Sequence, residues 1–123
     1  MNGPMMDMTT VMSKFLAMGL PLEEVIREST VNPAHAIGHP ELGHLSQGAL
    51  ADVAVLNLMR GAFAYRDAAG GRLEAEERLL CELTLKDGEV MWDWNGRTGT
   101  DYWEMGPTYG LREVDSIILP PEA

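Results

Sequence analysis

Apolar positions near the start of the chain recur at helical spacing. Met8, Val11, Met12, Phe15 and Leu16 alternate steps of three and one, which gathers them on one side of an α-helix. Asp7 stands where a cap accepts the free N–H groups of the first turn, and Gly19 stands where such a helix ends. After a two-residue break a second helix is predicted, with Pro21 in its first turn and Glu23 and Glu24 at its positive end. Leu22, Val25, Ile26 and Ser29 form its inner face. Asn32 and Pro33 make a cap and first-turn pair for a short helix over 33–37, closed by Gly38.

From His39 to Leu50 the periodicity stops. Pro40, Gly43 and Gly48 break the segment and Leu42 and Leu45 anchor it, so it reads as a folded-down connector. Asp52 then precedes Val53, Ala54, Val55 and Leu56, an apolar run that fits a strand covered on both faces. Phe63 and Tyr65 predict a following strand, and the Ala-Ala-Gly-Gly stretch at 68–71 turns the chain. Between Leu79 and Lys86 strict alternation puts Cys81, Leu83 and Leu85 on one face and Glu82, Thr84 and Lys86 on the other. Asp87-Gly88 is the preferred pair for a two-residue hairpin turn, with Val90–Trp94 as the return arm. Beyond Asn95, glycines 96, 99, 106 and 110 alternate with Tyr102, Trp103 and Tyr109; this is expected to be an irregular tail pinned over a larger body by its aromatic rings.

The length of 123 residues allows one small domain at most. Hydrophobic residues make up 46% and a net charge of −10 accompanies them, so a core can form. The acidic balance disfavours nucleic acid and anionic membrane surfaces, because no local basic patch offsets it. Cys81 is the only cysteine, which excludes an intramolecular disulfide; it is read as a packing residue of a protein in a reducing compartment. No apolar stretch approaches the roughly 20 residues that span a bilayer, and a cytoplasmic location is expected.

Candidate chemistry is sparse. His35 and His39 are four apart, a metal-pair spacing on a continuous helix, but Gly38 interrupts that helix. His39, Glu41 and His44 fall in a turn-rich segment and are expected to be solvated. Asp7 makes a better helix cap than a metal ligand.

The stretch from Thr30 to Leu56, TVNPAHAIGHPELGHLSQGALADVAVL, resembles the C-terminal signature of the amidohydrolase superfamily of metal-dependent hydrolases. The resemblance rests on an ordered set: Asn32, Pro33 and Ala34 opening a helix, Gly38 closing it, Gly43 and Leu45 in the connector, and Gly48 three residues before Ala51-Asp52 and the apolar strand. The preceding residues are similar to the deacetylase-like, dihydroorotase-related branch.

The resemblance implies an α+β fold that is a portion of a larger protein: terminal helices of a (β/α)8 barrel over 1–38, a connector over 39–51, C-terminal strands of a small β-sandwich over 52–95, and the tail over 96–123. By the same resemblance Asp52 would anchor the crossing into the sheet by hydrogen bonding. Asn2, Gly3 and Pro4 would lie in the substrate-near loop after the eighth barrel strand. Family enzymes use zinc or a similar metal held by an H-x-H pair and other ligands that all lie upstream of the matching region, so no catalytic or metal-binding residue carries over. A barrel takes about 250 residues. The chain is therefore expected to be a C-terminal portion of an enzyme acting on a small acylated substrate, partnered by an upstream barrel polypeptide or by self-association.

Overall fold

A computed structural model describes residues 6–104: three helices followed by a three-stranded antiparallel sheet. Asn2, Gly3, Pro4, Tyr109 and the rest of the tail beyond 104 lie outside the described residues.

Helix α1 spans Met8–Ala17, and Asp7 caps it as its position predicts. Asp7 Oδ1 accepts the Thr10 N–H at 2.6 Å and the Thr9 hydroxyl at 2.9 Å. At the other end Gly19, with φ of +100°, donates to the Leu16 carbonyl while Leu20 donates to Phe15. This paired closure satisfies two orphan carbonyls and delivers Leu20 to the core.

Helix α2 spans Leu22–Ser29. Pro21 is its cap rather than part of its first turn: its extended ψ of 146° turns the chain, while its carbonyl accepts the Val25 N–H. Helix α3 spans Val31–Ala36, starting earlier than the sequence predicts. Thr30 alone breaks α2 from α3, so the cap falls at Thr30 and not at Asn32. The Asn32 amide instead donates to Glu28 Oε1 at 2.9 Å. Pro33 still sits in the first turn, where a missing N–H costs nothing. Gly38 and His39 close α3 onto the carbonyls of His35 and Ala34, with Gly38 at φ +80°.

Strands β1 (Val53–Arg66), β2 (Arg72–Lys86) and β3 (Glu89–Asp93) pair in that order. The expected pair of short strands is one 14-residue strand, β1, because an irregularity between Arg60 and Phe63 absorbs the glycine without ending the ladder. At the β1–β2 tip, Asp67 Oδ1 accepts the N–H groups of Ala69 and Gly71. The β2–β3 turn has both central residues left-handed, Asp87 at +50° and Gly88 at +82°, as a two-residue hairpin of this sequence requires.

The strict alternation expected in β2 fails at Glu82. Val55 faces Leu83 but Leu56 faces Cys81, so Glu82 is the extra residue of a β-bulge. Cys81 and Thr84 consequently share a face, with Sγ and Oγ1 3.2 Å apart.

Met12, Val25 and Leu79 are buried together, with Leu16, Leu20, Leu22, Leu56 and Leu58 packed around them. The helices cover only this face of β1. Val55 and Met59, on the other face, are 45% and 38% exposed, so the strand is not covered on both sides as its apolar run predicts. β3 pairs only with Leu83–Lys86 of β2, and α1 packs against β2 as well. There the fully buried Ser13 hydroxyl accepts the Leu79 N–H at 2.9 Å and donates to the Thr9 carbonyl at 2.6 Å.

Candidate functional site

The segment from Thr30 to Asp52 carries the residues that the sequence singles out. Gly43 has a φ of +77°, and a Cβ there would lie 2.6 Å from the Thr30 carbonyl oxygen and 2.9 Å from the Val31 nitrogen. The connector thus crosses the α2–α3 junction backbone against backbone, and only glycine fits. Gly48 (φ +86°) meets nothing within 4 Å; its role is conformational, in a turn closed by the Ala49 N–H on the Ser46 carbonyl. Ala34 is buried on α3.

Asp52 stands at the threshold of β1 and reaches across to the hairpin turn. Its Oδ1 accepts the Asp87 N–H at 3.0 Å, and both carboxylate oxygens lie 3.1 Å from Lys86 Nζ. The Ala51 carbonyl accepts the Gly88 N–H alongside. The Asp87 N–H first, then Lys86, holds the Asp52 carboxyl below the ordinary aspartate range, and Asp52 in turn raises Lys86. This carboxylate is engaged on both oxygens in joining the start of β1 to the β2–β3 turn.

The histidines do not converge. His39 Nδ1 lies 2.8 Å from Glu41 Oε1, an exposed pair that lowers the Glu41 pKa, and His44 Nδ1 accepts the Ser46 N–H. Among the described residues no three His, Cys, Asp or Glu side chains are grouped to hold a metal ion. The donor set among these described residues does not fit a zinc centre.

A concavity of about 930 Å³ lies between α1, α2, the connector and the sheet. Met8, Met12, Ile26, Leu45, Trp92 and Trp94 line it, and half-buried Cys81 contributes too. Among its polar members Asp7 bonds to Thr9 and Thr10, Asp52 to Lys86 and Asp87, and Thr84 to Cys81. A smaller hollow of about 440 Å³ lies between α1 and α2, lined by Val11 and Phe15 among others. Such a surface offers shape and apolar contact; of the reactive side chains on its wall, the Cys81 thiol bonds to Thr84 and the His44 ring accepts the Ser46 N–H.

Sequence reasoning misses Glu82. Placed outward by alternation, it is 7% exposed, because the bulge turns it toward the loop after β3. Asn95 Nδ2 donates to its two oxygens at 3.0 and 2.8 Å, and Arg97 Nη2 lies 3.3 Å away. Next to it Asp93 accepts the N–H groups of Arg97 and Thr98 and the Thr98 hydroxyl; the Thr98 N–H is the main cause of its lowered pKa. These two carboxylates fix the loop from Asp93 to Thr98.

Residues 8–92 match the sequence pattern of the amidohydrolase family, and the chain belongs to that family. Among curated relatives it is 37% identical over 70 residues to a deacetylase of Brucella anthropi, covering 57% of this chain and 17% of that protein. It is 32% identical over 82 residues to adenine deaminase 2 of Agrobacterium fabrum, covering 66% of this chain and 14% of the relative. The fold resembles the crystal structure of an adenine deaminase (TM-score 0.70, 27% identity, 75% of this chain and 25% of that one). It also resembles that of a dihydroorotase (TM-score 0.59, 25% identity, 71% of this chain and 24% of that one). The chain therefore spans a small share of the length of each of these relatives.

Proposed function

We propose that this chain is the C-terminal portion of a metal-dependent amidohydrolase that cleaves a non-peptide C–N amide bond or a small acyl ester, and that it is inactive by itself. The observation that carries this reading is the match of residues 8–92 to the amidohydrolase family within a chain whose described histidines and carboxylates do not fit a metal centre. The deacetylase relatives support the acylated-amide substrate. In this reading the helices α1–α3 are the last helical part of the barrel, and β1–β3 belong to the accompanying small β-sandwich. Asn2, Gly3 and Pro4 would border the substrate, and zinc would be held by the upstream barrel polypeptide in a cytoplasmic enzyme.

No reaction step is assigned to a residue of this chain. Its work is structural: Asp52, Gly43 and Ser13 hold the helices and the sheet in one arrangement. The alternative, a non-catalytic module that complements a separately encoded barrel, uses the same surfaces and differs in where the rest of the polypeptide is encoded.

The test is an assay of the purified chain with N-acetyl amino acids, acetyl esters and adenine, together with its zinc content by elemental analysis. Neither turnover nor stoichiometric zinc is expected from the chain alone. Turnover with zinc bound would overturn the proposal. Turnover that arises only on adding an independently made barrel polypeptide would favour the complementing module.

A further inference from the structure

We infer that the groove between α1, α2, the connector and the sheet is the seat of a short stretch of this chain's own tail, Ile117–Leu119, which lies outside the described residues. The groove walls combine two kinds of group. Met8, Ile26, Leu45, Trp92 and Trp94 are apolar; Leu45 is 80% and the tryptophans about half exposed. Asp7, Asp52 and His44 stand among them. A broad apolar face laid over this mixture would cut the polar groups off from water. A single extended segment suits it better, because its side chains meet the apolar groups while its backbone N–H groups and carbonyls meet the polar ones.

Three features of the chain point to that occupant. The family match ends at residue 92, and residues 105–123 beyond it hold one run of three consecutive aliphatic side chains, Ile117, Ile118 and Leu119. The stretch Ser116–Pro121 around this run carries no charge, so it can enter between Asp7 and Asp52 without repulsion. Pro120 favours an extended backbone at Leu119, which puts Ile117 and Leu119 on the same side as a pair of anchors. The tether is also adequate. The tail follows β3 and Trp94, in the groove wall, and residues 105–116 can span up to about 40 Å, against a radius of gyration of about 13 Å for a domain of this size. Such a tether holds the segment at an effective concentration on the order of millimolar, so modest contact is enough to keep it seated.

The experiment uses the full chain and two readouts. In the wild type, nuclear Overhauser contacts are expected between the methyl groups of Ile117 and Leu119 and the indole protons of Trp92 and Trp94. Their absence overturns the proposal, and this measurement needs no substitution. The second readout is the rate at which Ellman's reagent modifies Cys81 in the groove wall. Replacing both tail anchors (Ile117→Asp with Leu119→Asp) is expected to speed labelling about tenfold, and Leu45→Asp on the groove side to do the same. The two changes combined should label no faster than either alone, because they remove one shared contact. Labelling as slow in the tail variant as in the wild type overturns the proposal, and so do tail and groove effects that simply multiply. Protection of the wild type that fades on dilution assigns the groove to the tail of a second copy and likewise overturns it. Neither readout involves metal or turnover, so any of these results leaves the family reading standing.

Discussion

The Leu79 N–H donates to the hydroxyl oxygen of Ser13 at 2.9 Å, a buried bond between residues 66 apart in the chain. It falls on the stretch of β2 that β3 does not reach, so a side chain of α1 supplies the acceptor that a neighbouring strand would otherwise give. Replacing Ser13 by alanine leaves the Leu79 amide buried without a partner, which costs about 1–3 kcal/mol. Urea unfolding would show a lowered midpoint at unchanged slope, and the Leu79 amide would exchange faster than its neighbours.

Gly43 and Gly48 have similar positive φ but different surroundings. Alanine at either meets the left-handed penalty of about 1–2 kcal/mol. At Gly43 the new methyl also collides with the backbone of Thr30 and Val31, which must move. Gly43→Ala is therefore expected to lower the melting temperature at least twice as far as Gly48→Ala, by thermal denaturation of the two variants side by side.

Asp7, Asp52 and Asp93 all have folded-state pKa values below the ordinary aspartate range, held there chiefly by Thr10, by the Asp87 N–H and by the Thr98 N–H respectively. A depressed folded pKa means the unfolded chain takes up protons first on acidification. These carboxylates thus stabilise the fold above about pH 4 and lose that contribution as pH falls through their folded pKa values. Melting temperatures should decline between about pH 5 and pH 3. Asp52→Asn, which keeps an acceptor for Asp87 but no titrating group, should give a shallower decline; an identical pH profile would exclude Asp52 as a contributor.

Glu82 carries a nearly buried carboxylate between Asn95 and Arg97. Glu82→Ala removes both tethers of the loop and is expected to cost about 1–2 kcal/mol, at the lower end for charged hydrogen bonds because Arg97 is largely exposed. The loss should register as faster amide exchange over 95–98 and altered tryptophan fluorescence from neighbouring Trp94. Glu82→Gln, which retains an acceptor, should lose less.

The parts of the fold visible in the sequence are those decided by near neighbours. The Asp7 cap, the Gly19 and Gly38 closures and the Asp87-Gly88 turn each depend on residues within a few positions, and each is found where the pattern puts it. Features set by distant partners are not visible there. The depth of Ser13 depends on Leu79, the burial of Glu82 on Asn95 and Arg97, and the need for glycine at 43 on Thr30. Asn32 passes for a cap because Thr30 and Asn32 both suit that position, and a helix start two residues earlier leaves the proline equally comfortable. For the candidate site, the family signature is readable as an ordered set of small and breaking residues, whereas the groove arises only when α1, the connector and β3 are brought together.

The extra residue at position 82 has a consequence for how this protein tolerates change in length. Because Leu83 already faces Val55 while Cys81 faces Leu56, excising that single codon would leave every later pair in place and remove only the extra residue with its hold on Asn95 and Arg97. A deletion there should keep the β2–β3 hairpin in register, so length variation in this stretch is expected to fall at the tip and at the bulge and to avoid the regularly paired positions between them.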